Sequence, residues 1–256
     1  MPQDSVQTNY NHIGTLIMES MYGHDFLSPG GLDACRTLVG FGQIHNRQRV
    51  LDVGCGLGGA AGYMASTLKC RVHGIDLVQE NIAEATRRAS RNGLDQLLDF
   101  VVGDAAALPF AEAEFDVVWG QDAWCHVADK AQLLAEVRRV LKAGGRLVFS
   151  DWLLGTGSAA EHANIRDITA SPGMADLHRY QSLLSQHGFV DVQERDNTRL
   201  MVERYTLCMK RLAEMELPLK DVYGGRVYDV VWRKQSQVMS AFTAGNLRAL
   251  AFVAQG

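Results

Sequence analysis

The sequence LDVGCGLGG, residues 51–59, decides the fold of this chain. It begins within an apolar, strand-like run (49–53), breaks into four glycines within residues 54–59, and is followed by a helical pattern. Glycines lack the Cβ atoms that would hold a ligand away from the backbone, and they accept the positive φ angles of a tight strand-to-helix turn. The stretch therefore predicts a loop against which a nucleotide-like ligand can lie.

From residue 49 onward, strand-like and helix-like segments alternate, which is the pattern of a doubly wound parallel sheet of the α/β class. The predicted strands are 49–54, 71–76, 99–104, 115–121, 145–153, 189–194 and 247–255. Helices are predicted over 32–41, after Gly58, after Gln79, over 129–145, over 175–187 and, irregularly, over 199–242. The polar connection after the fifth strand is predicted to be a loop near the site.

Aspartates lie at or close to the ends of four predicted strands, at positions 52, 76, 104 and 122. Ligands of such sheets bind at the carboxyl ends of the strands, so these side chains predict a binding site at that edge. As a bare pattern, Gly54-x-Gly56-x-x-Gly59 also satisfies the dinucleotide fingerprint, with Asp76 as the ribose-binding acid. The pattern alone leaves a nicotinamide cofactor open.

Taken together, Asp52, the glycine loop, Asp76 in VHGIDL and Asp104 in FVVGDA resemble the class I S-adenosylmethionine-dependent methyltransferases. The resemblance implies a seven-stranded sheet of order 3-2-1-4-5-7-6 with an antiparallel strand 7, and S-adenosylmethionine as the cofactor. It implies that the glycine loop packs on the adenosine and methionine parts, that Asp76 holds the ribose hydroxyls, and that Asp104 lies near the adenine amine. The implied cofactor-binding residues include Asp52, Gly54, Gly56, Asp76, Leu77, Asp104 and Ala105.

Composition bounds the partners of the protein. The chain has 256 residues, a net charge of −4 and no basic footprint, so we expect a small-molecule partner rather than nucleic acid. Five scattered cysteines without a C-x-x-C pair predict neither a disulfide framework nor a metal site. Without a leader-like start or an apolar run of roughly 18 residues, we expect a cytoplasmic protein, monomeric or homodimeric.

Residues 1–48 precede the first strand and are expected to form a lid or helical arm. Residues 49–256 would then form the methyltransferase domain, with cap insertions at about 154–174 and 199–242. Aromatic side chains at Tyr10, Tyr22 and Phe26 favour a lid, and a solvent-exposed arm is the alternative.

The segment WGQDAWCHVADK, residues 119–130, follows strand 4, where side chains would face a transferred methyl group. Such a transfer is an in-line displacement, to which positioning contributes about 7–11 kcal/mol. Asp122 and His126 would share one face if the segment were helical. The alternative is that Asp122 caps a short helix and His126 is a partly buried surface residue.

Two segments sharpen the resemblance. VWGQDAWCHVADK (118–130) is similar to a segment of the phosphoethanolamine and sarcosine/dimethylglycine N-methyltransferases, and YGHDFLSPGGLDACRTL (22–38) is similar to the lid of the phosphoethanolamine enzymes. The resemblance implies a pair between the lid residue Tyr10 and His126, and a contact of Asp122 with the substrate amine. It also places Ser28 and Gln121 near the methionine end of the cofactor.

The acceptor is less clearly indicated. The phosphobase enzymes that the chain resembles carry tyrosines and an arginine before the sixth-strand helix to grip phosphate. This chain has IRDITASPGMADLHRY there, residues 165–180, in which Arg166 is the obvious anion partner. Tyr22 and Trp124 are candidates for cation–π contact with a methylated nitrogen, and Tyr205 lies in the cap. We expect an amine acceptor, glycine-like or phosphoethanolamine-like. The alternatives are an oxygen or carbon of a secondary metabolite, an NAD(P)-dependent oxidoreductase and a non-catalytic cofactor-binding module.

Overall fold

The computed structural model describes residues 12–256, and within them a single twisted sheet forms the centre of the molecule. The strands are β1 (Arg49–Val53), β2 (Arg71–Asp76), β3 (Leu98–Val102), β4 (Phe115–Gln121), β5 (Leu141–Leu154), β6 (Val190–Asp196) and β7 (Leu247–Gln255). Their order is β3-β2-β1-β4-β5-β7-β6. The strands β1 to β5 pair in parallel, whereas β7 runs antiparallel to both β5 and β6. The predicted fold class and strand order are confirmed.

The helices cover both faces of the sheet and its carboxyl edge. They are α1 (His12–Tyr22), α2 (Gly31–Gly42), α3 (Gly59–Leu68), α4 (Gln79–Arg91), α5 (Lys130–Val140), α6 (Ala159–Ile168), α7 (Leu177–Gln186), α8 (Thr198–Glu214), α9 (Glu216–Tyr223) and α10 (Gly225–Ala244). A short 3₁₀ turn spans Trp124–His126. None of the described helices is both long and apolar enough to cross a membrane.

Alternate residues of the central strands point into two different cores. Val148 of β5 joins a buried cluster with side chains of α2 and α3 on one face. Its neighbour Phe149 joins side chains of α5 and α7 on the other face. Phe149 is stacked between Trp124 and Phe252, with ring centroids 4.5 and 4.7 Å away. The period-two alternation of a strand covered on both sides therefore fixes the register of the sheet.

Three predicted boundaries differ from the structure. The helix predicted over 129–145 ends at Val140, because Leu141 is buried and pairs with Phe115 at the start of β5. The connection predicted to be a loop contains α6, which begins at a capping box between Ser158 and Glu161. The irregular stretch predicted over 199–242 consists of the three helices α8, α9 and α10.

The helices outside the sheet layers pack on one another above its carboxyl edge. Ile17 and Tyr22 of α1 share a buried cluster with Cys208 and Leu212 of α8. A further cluster joins α8 and α10 to β5 and β7. These helices roof the edge at which the aspartates lie.

Candidate functional site

A cavity of about 310 Å³ opens at the carboxyl ends of β1, β2, β3 and β4. Its lining includes every predicted cofactor-binding residue: Ser28, Asp52, Gly54, Gly56, Asp76, Leu77, Asp104, Ala105 and Gln121. Parallel strands bring their carboxyl ends to one edge, which is why residues as far apart in the chain as Asp52 and Gln121 meet there. We call this space the cofactor cavity.

The glycine loop is built for close approach. Its first two N–H groups, of Gly54 and Cys55, donate to the carbonyl of Ile75, at 2.8 and 3.1 Å. Gly54 has a φ of 82°, and a Cβ there would lie 2.5 Å from that of Ala123. A Cβ at Gly59 would lie 2.6 Å from the carbonyl oxygen of Asp25. A side chain at either position would displace the elements that border the cavity.

Asp76 ends β2, and its carboxylate is oriented by the neighbouring loops. Oδ2 accepts the N–H of Gly56 and Oδ1 accepts the N–H of Val78, both at 2.9 Å. Burial raises the pKa of Asp76, and these hydrogen bonds oppose the shift. Because a carboxylate oxygen accepts more than one hydrogen bond, both atoms retain capacity for the two hydroxyls of a ribose.

Two oxygens at the cavity wall lack a hydrogen-bond partner among the described residues. They are Oδ2 of Asp52 and Oε1 of Gln121, both fully buried atoms. Burial and the nearby charge of Asp76 raise the pKa of Asp52 to about 8. The amide nitrogen of Gln121 donates to the hydroxyl of Ser28 at 3.2 Å. Since buried acceptors are normally satisfied, the pair is suited to a ligand that carries N–H donors and positive charge.

Asp104 also lines the cofactor cavity, as do Leu77 and Ala105. Its Oδ1 accepts the N–H of Ala106 at 2.8 Å, which fixes the carboxylate at the end of β3. Apolar atoms beside one oriented acceptor are suited to a planar base with an exocyclic amine.

Residues 25–28 cross directly over the glycine loop and line the cofactor cavity. The crossing is anchored by Arg88 of α4, which donates to Glu19 and Asp25, both at 2.5 Å, and to Glu84 at 2.6 Å. Side chains of the ion pairs are 13–29% exposed, so the anchor is largely withdrawn from water.

A second space of about 110 Å³ adjoins the cofactor cavity, and we call it the acceptor chamber. It is roofed by α1, α8 and α10, and its lining includes Tyr22, Trp152, Ile168, Tyr205, Lys234 and Gln235. Four residues border both spaces: Leu27, Ser28, Asp122 and His126. The two spaces therefore meet at an aspartate and a histidine.

Asp122 follows β4 with a φ of 52°, and β5 holds it in this uncommon conformation. Its N–H donates to the carbonyl of Ser150 at 2.8 Å, and its Oδ1 accepts the hydroxyl of Ser150 at 2.7 Å. Burial raises the pKa of Asp122 to about 6; the charge of Asp151 adds to the shift, and Ser150, Arg204 and Ser28 oppose it. The carboxylate is thus ionised at neutral pH and protonated in mild acid.

His126 ends the 3₁₀ turn. Its Nδ1 lies 2.9 Å from the carbonyl oxygen of Ala170 and 3.3 Å from the hydroxyl of Ser171. A carbonyl accepts, so Nδ1 carries the proton and Nε2 is the basic atom of the neutral ring. Burial lowers the pKa of His126, and the contact with Ala170 opposes this. The segment is a 3₁₀ turn rather than the α-helix considered above, yet both Asp122 and His126 reach the chamber.

The chamber contains a polar group that the sequence analysis missed. Gln235 of α10 accepts the hydroxyls of both Tyr22 and Tyr205 at its Oε1, the first at 3.2 Å. The predicted substrate residues Tyr22 and Tyr205 therefore do lie together in the chamber, although they belong to different helices. The sequence around Gln235 gave no signal of this contact, because both of its partners lie on other helices.

The structure corrects the prediction that Trp124 contacts the substrate. Its side chain is 1% exposed, its indole N–H donates to the carbonyl of Val53 at 3.0 Å, and its ring stacks on Phe149. The 3₁₀ turn directs this ring into the core, so it does not form the predicted wall against a methylated nitrogen.

The structure also corrects the prediction that Arg166 contacts the substrate. It lies on α6, where its guanidinium donates to the carbonyl of Met174 at 3.3 Å and faces a surface cleft beside Asp176 and Arg179. The unforeseen helix turns it away from the acceptor chamber. Tyr10, the predicted partner of His126, lies outside the described residues.

The chain is similar to known methyltransferases in sequence and in structure. Residues 51–149 match the family described as "Methyltransferase domain". Over 195 residues the chain is 33% identical to phosphoethanolamine N-methyltransferase 1 of Triticum aestivum, covering 76% of this chain and 38% of that protein. The chain thus spans less than half of that relative's length.

Two solved structures are similar as well. Phosphoethanolamine N-methyltransferase 2 of Haemonchus contortus, in complex with phosphomonomethylethanolamine and S-adenosylhomocysteine, has a TM-score of 0.92 and 25% identity, over 100% of this chain and 60% of that one. A protein from Galdieria sulphuraria described as a sarcosine dimethylglycine methyltransferase has a TM-score of 0.81 and 20% identity, over 88% and 85% of the two chains. The second likeness concerns the fold.

The chain has the fold of the class I S-adenosylmethionine-dependent methyltransferases, and its residues 51–149 match the methyltransferase-domain family. Within that class it resembles the phosphoethanolamine N-methyltransferases in sequence and structure, and the sarcosine/dimethylglycine enzymes in fold. A dinucleotide-binding domain would be expected to end with a parallel strand, so the antiparallel β7 argues against the NAD(P) alternative.

Proposed function

We propose that this chain transfers a methyl group from S-adenosylmethionine to a small-molecule acceptor, and that the acceptor atom is an amine nitrogen. The observation that carries the proposal is the junction of the cofactor cavity with the acceptor chamber, bordered by Asp122 and His126. A donor in one space and an acceptor in the other would face each other across it.

The residues present fit the cofactor. Asp76 has two oriented oxygens for the ribose hydroxyls. The oxygens of Asp52 and Gln121 that lack a partner among the described residues suit the ammonium of the methionine part. When bound, S-adenosylmethionine supplies an electrophilic methyl group on a sulfonium. The segment 25–28 covers the glycine loop and forms part of the wall of the cofactor cavity.

The chain's own groups manage the acceptor. An amine is mostly protonated at neutral pH and must lose a proton before its lone pair is available. The carboxylate of Asp122 orients the amine through a charge-assisted hydrogen bond. Nε2 of His126 takes the proton, since the lowered pKa keeps the ring neutral. By resemblance, Tyr10 closes the lid over this pair.

The relatives support a phosphobase or amino-acid-like amine within this class. The acceptor chamber holds one cationic side chain among its described lining residues, Lys234 of α10. It lies on an exposed part of the helix and suits an anionic tail that points toward solvent. We propose a small amine with an anionic tail, phosphoethanolamine-like, as the acceptor class.

A second candidate function is methylation of an oxygen or carbon of a larger, apolar acceptor. The apolar lining of the chamber, with Ile17, Met18, Trp152, Ile168 and Val238, favours it. Such an acceptor would make little use of the carboxylate of Asp122.

The deciding experiment incubates the chain with methyl-labelled S-adenosylmethionine and a pool of amines, phenols and aliphatic alcohols. Mass spectrometry then identifies the labelled product. The proposal expects label on amines that carry a phosphate or carboxylate. The Asp122→Asn variant serves as the control and is expected to give less labelled product. Label confined to phenols or carbon atoms would establish the second candidate, and unlabelled pools with a folded, cofactor-binding chain would refute both.

A further inference from the structure

Two buried charged side chains lie beneath the turn that carries His126, and neither lines the cofactor cavity or the acceptor chamber. Asp151 of β5 is 0% exposed and Lys130, at the start of α5, is 5% exposed. Burying charges is costly unless their hydrogen bonds are satisfied. The contacts of these two side chains therefore indicate what they are retained for.

The turn is held from opposite sides. Oδ1 of Asp151 accepts the N–H of Cys125 at 2.8 Å, and Oδ2 accepts the hydroxyl of Tyr180 at 2.5 Å. Nζ of Lys130 donates to the carbonyl of Val127 at 2.7 Å and to that of Trp124. One donor and two acceptors of the turn's backbone are thus bound by two side chains of opposite charge.

The loop 170–173, which orients the imidazole, packs closely against the same turn and against Lys130. A Cβ at Gly173 would lie 1.7 Å from the carbonyl oxygen of Val127 and 2.9 Å from Nζ of Lys130. Three and two residues earlier in the same loop, Ala170 and Ser171 contact Nδ1 of the ring. Displacing the turn would therefore displace both the ring and its partners.

Charges face His126 from several elements. Burial lowers the pKa of the ring and the contact with Ala170 opposes this; of the two buried charges, Asp151 on β5 raises the pKa and Lys130 on α5 lowers it. Asp122 after β4 and Lys234 on α10 border the same chamber, as do the titratable hydroxyls of Tyr22 and Tyr205. Those four groups are unchanged in every variant considered below.

We propose that Asp151 and Lys130 are positioning residues that clamp the His126 turn from opposite sides and place two opposed charges beneath its imidazole. The kinetic part of this inference rests on the proposed function, since it assigns proton transfer to His126. The structural part does not depend on it.

The test is an NMR titration of the His126 ring in the ligand-free chain, with its resonance assigned by loss in His126→Gln. Asp151→Asn removes the negative charge and is expected to lower the midpoint by about one pH unit. Lys130→Met removes the positive charge and is expected to raise it by about as much. Lys142→Met, which loses a surface pair with Asp116, is the matched control and leaves the midpoint unchanged.

The acid limb of the pH–kcat profile should move in the same opposite directions, and Lys130→Arg should restore it. Shifts of equal sign in the two variants, or unchanged midpoints, would overturn the proposal. Opposite NMR shifts in a chain that methylates no acceptor would refute the proposed function alone.

Where a single variant is too unstable to titrate, the Tm values of both single variants and the double variant replace the midpoint. Each single variant leaves one buried charge without its counter-charge, whereas the double variant removes both charges. The double variant is therefore expected to melt above at least one single variant. Losses that simply add would count against the coupled pair.

Discussion

The cofactor cavity and the acceptor chamber differ in where their residues come from. The cavity is lined mainly by residues that directly follow four consecutive strands, within positions 52–129. The chamber joins side chains that are far apart in the chain, such as Tyr22 and Gln235, which are 213 positions apart. One site is assembled by the sheet and the other by helices that pack over it, so the first can be altered with less effect on the second.

The largest effect is expected at the junction of the two spaces. His126→Ala should lower kcat by roughly 10²–10⁴-fold, because general base assistance is typically of that size. The affinity for S-adenosylhomocysteine should change little. Single-turnover methyl transfer at saturating S-adenosylmethionine measures this, with the exposed His178→Ala as the matched control.

Tyr10→Phe should show a similar loss if its hydroxyl tethers the lid to His126. The double variant should then be no slower than the slower single variant, since residues that act as a unit are not additive. Near-native rates in both single variants, or losses that multiply, would show that the two residues do not form a pair.

A change at a strand end should affect the cofactor cavity alone. Asp76→Ala removes two charge-assisted hydrogen bonds, each worth about 1.5–3 kcal/mol, and should raise the Kd of S-adenosylhomocysteine by roughly 100-fold or more. The fold should persist. Isothermal calorimetry measures the Kd, with a variant of an exposed residue, Asp99→Ala, as the control. Equal affinities in the two variants would remove Asp76 from the site.

Asp52 is expected to serve cofactor binding while lowering the free energy of unfolding of the ligand-free chain. Its pKa of about 8 in the folded chain exceeds the ordinary 3.8, so between these pH values the folded state retains a proton that the unfolded chain releases. Stability contributed by this group therefore falls as the pH rises across that window.

Asp52→Asn should raise the free energy of unfolding of the ligand-free chain at pH 8 by about 1–3 kcal/mol, with a smaller gain at pH 4. It should also weaken cofactor binding. Urea unfolding at both pH values measures the gain, and a variant that is less stable at pH 8 would contradict the assignment.

The smallest effects distinguish residues inside the acceptor chamber from those outside it. Gln235→Ala strands the hydroxyls of Tyr22 and Tyr205 and should raise the acceptor KM by roughly tenfold, the cost of about one hydrogen bond. Arg166→Ala should change KM less than about twofold, as expected of a surface residue. A large effect of Arg166 with none of Gln235 would reverse the assignment of the chamber.

The difference between the regions also explains how far the sequence could be interpreted. Asp52, Asp76 and Asp104 were predictable because strand periodicity places each of them at the same edge of the sheet. The order of the strands followed from the alternation and the family resemblance. None of this needed knowledge of contacts between distant segments.

The chamber was predicted less well because its residues depend on packing. Trp124 has the type and position expected of a substrate contact, but a 3₁₀ turn directs it into the core. Arg166 was assigned to a loop, and the capping box of α6 made it helical. Gln235 carries no local signal, because its two partners lie on other helices.

The central claim is that the cavity at the strand ends binds S-adenosylmethionine and its product rather than a dinucleotide. Calorimetric titration of the chain with S-adenosylhomocysteine, and in parallel with NAD, tests this most directly. The account predicts one site per chain for S-adenosylhomocysteine, weakened in Asp76→Ala, and no heat of binding for NAD. Binding of NAD without binding of S-adenosylhomocysteine would contradict it.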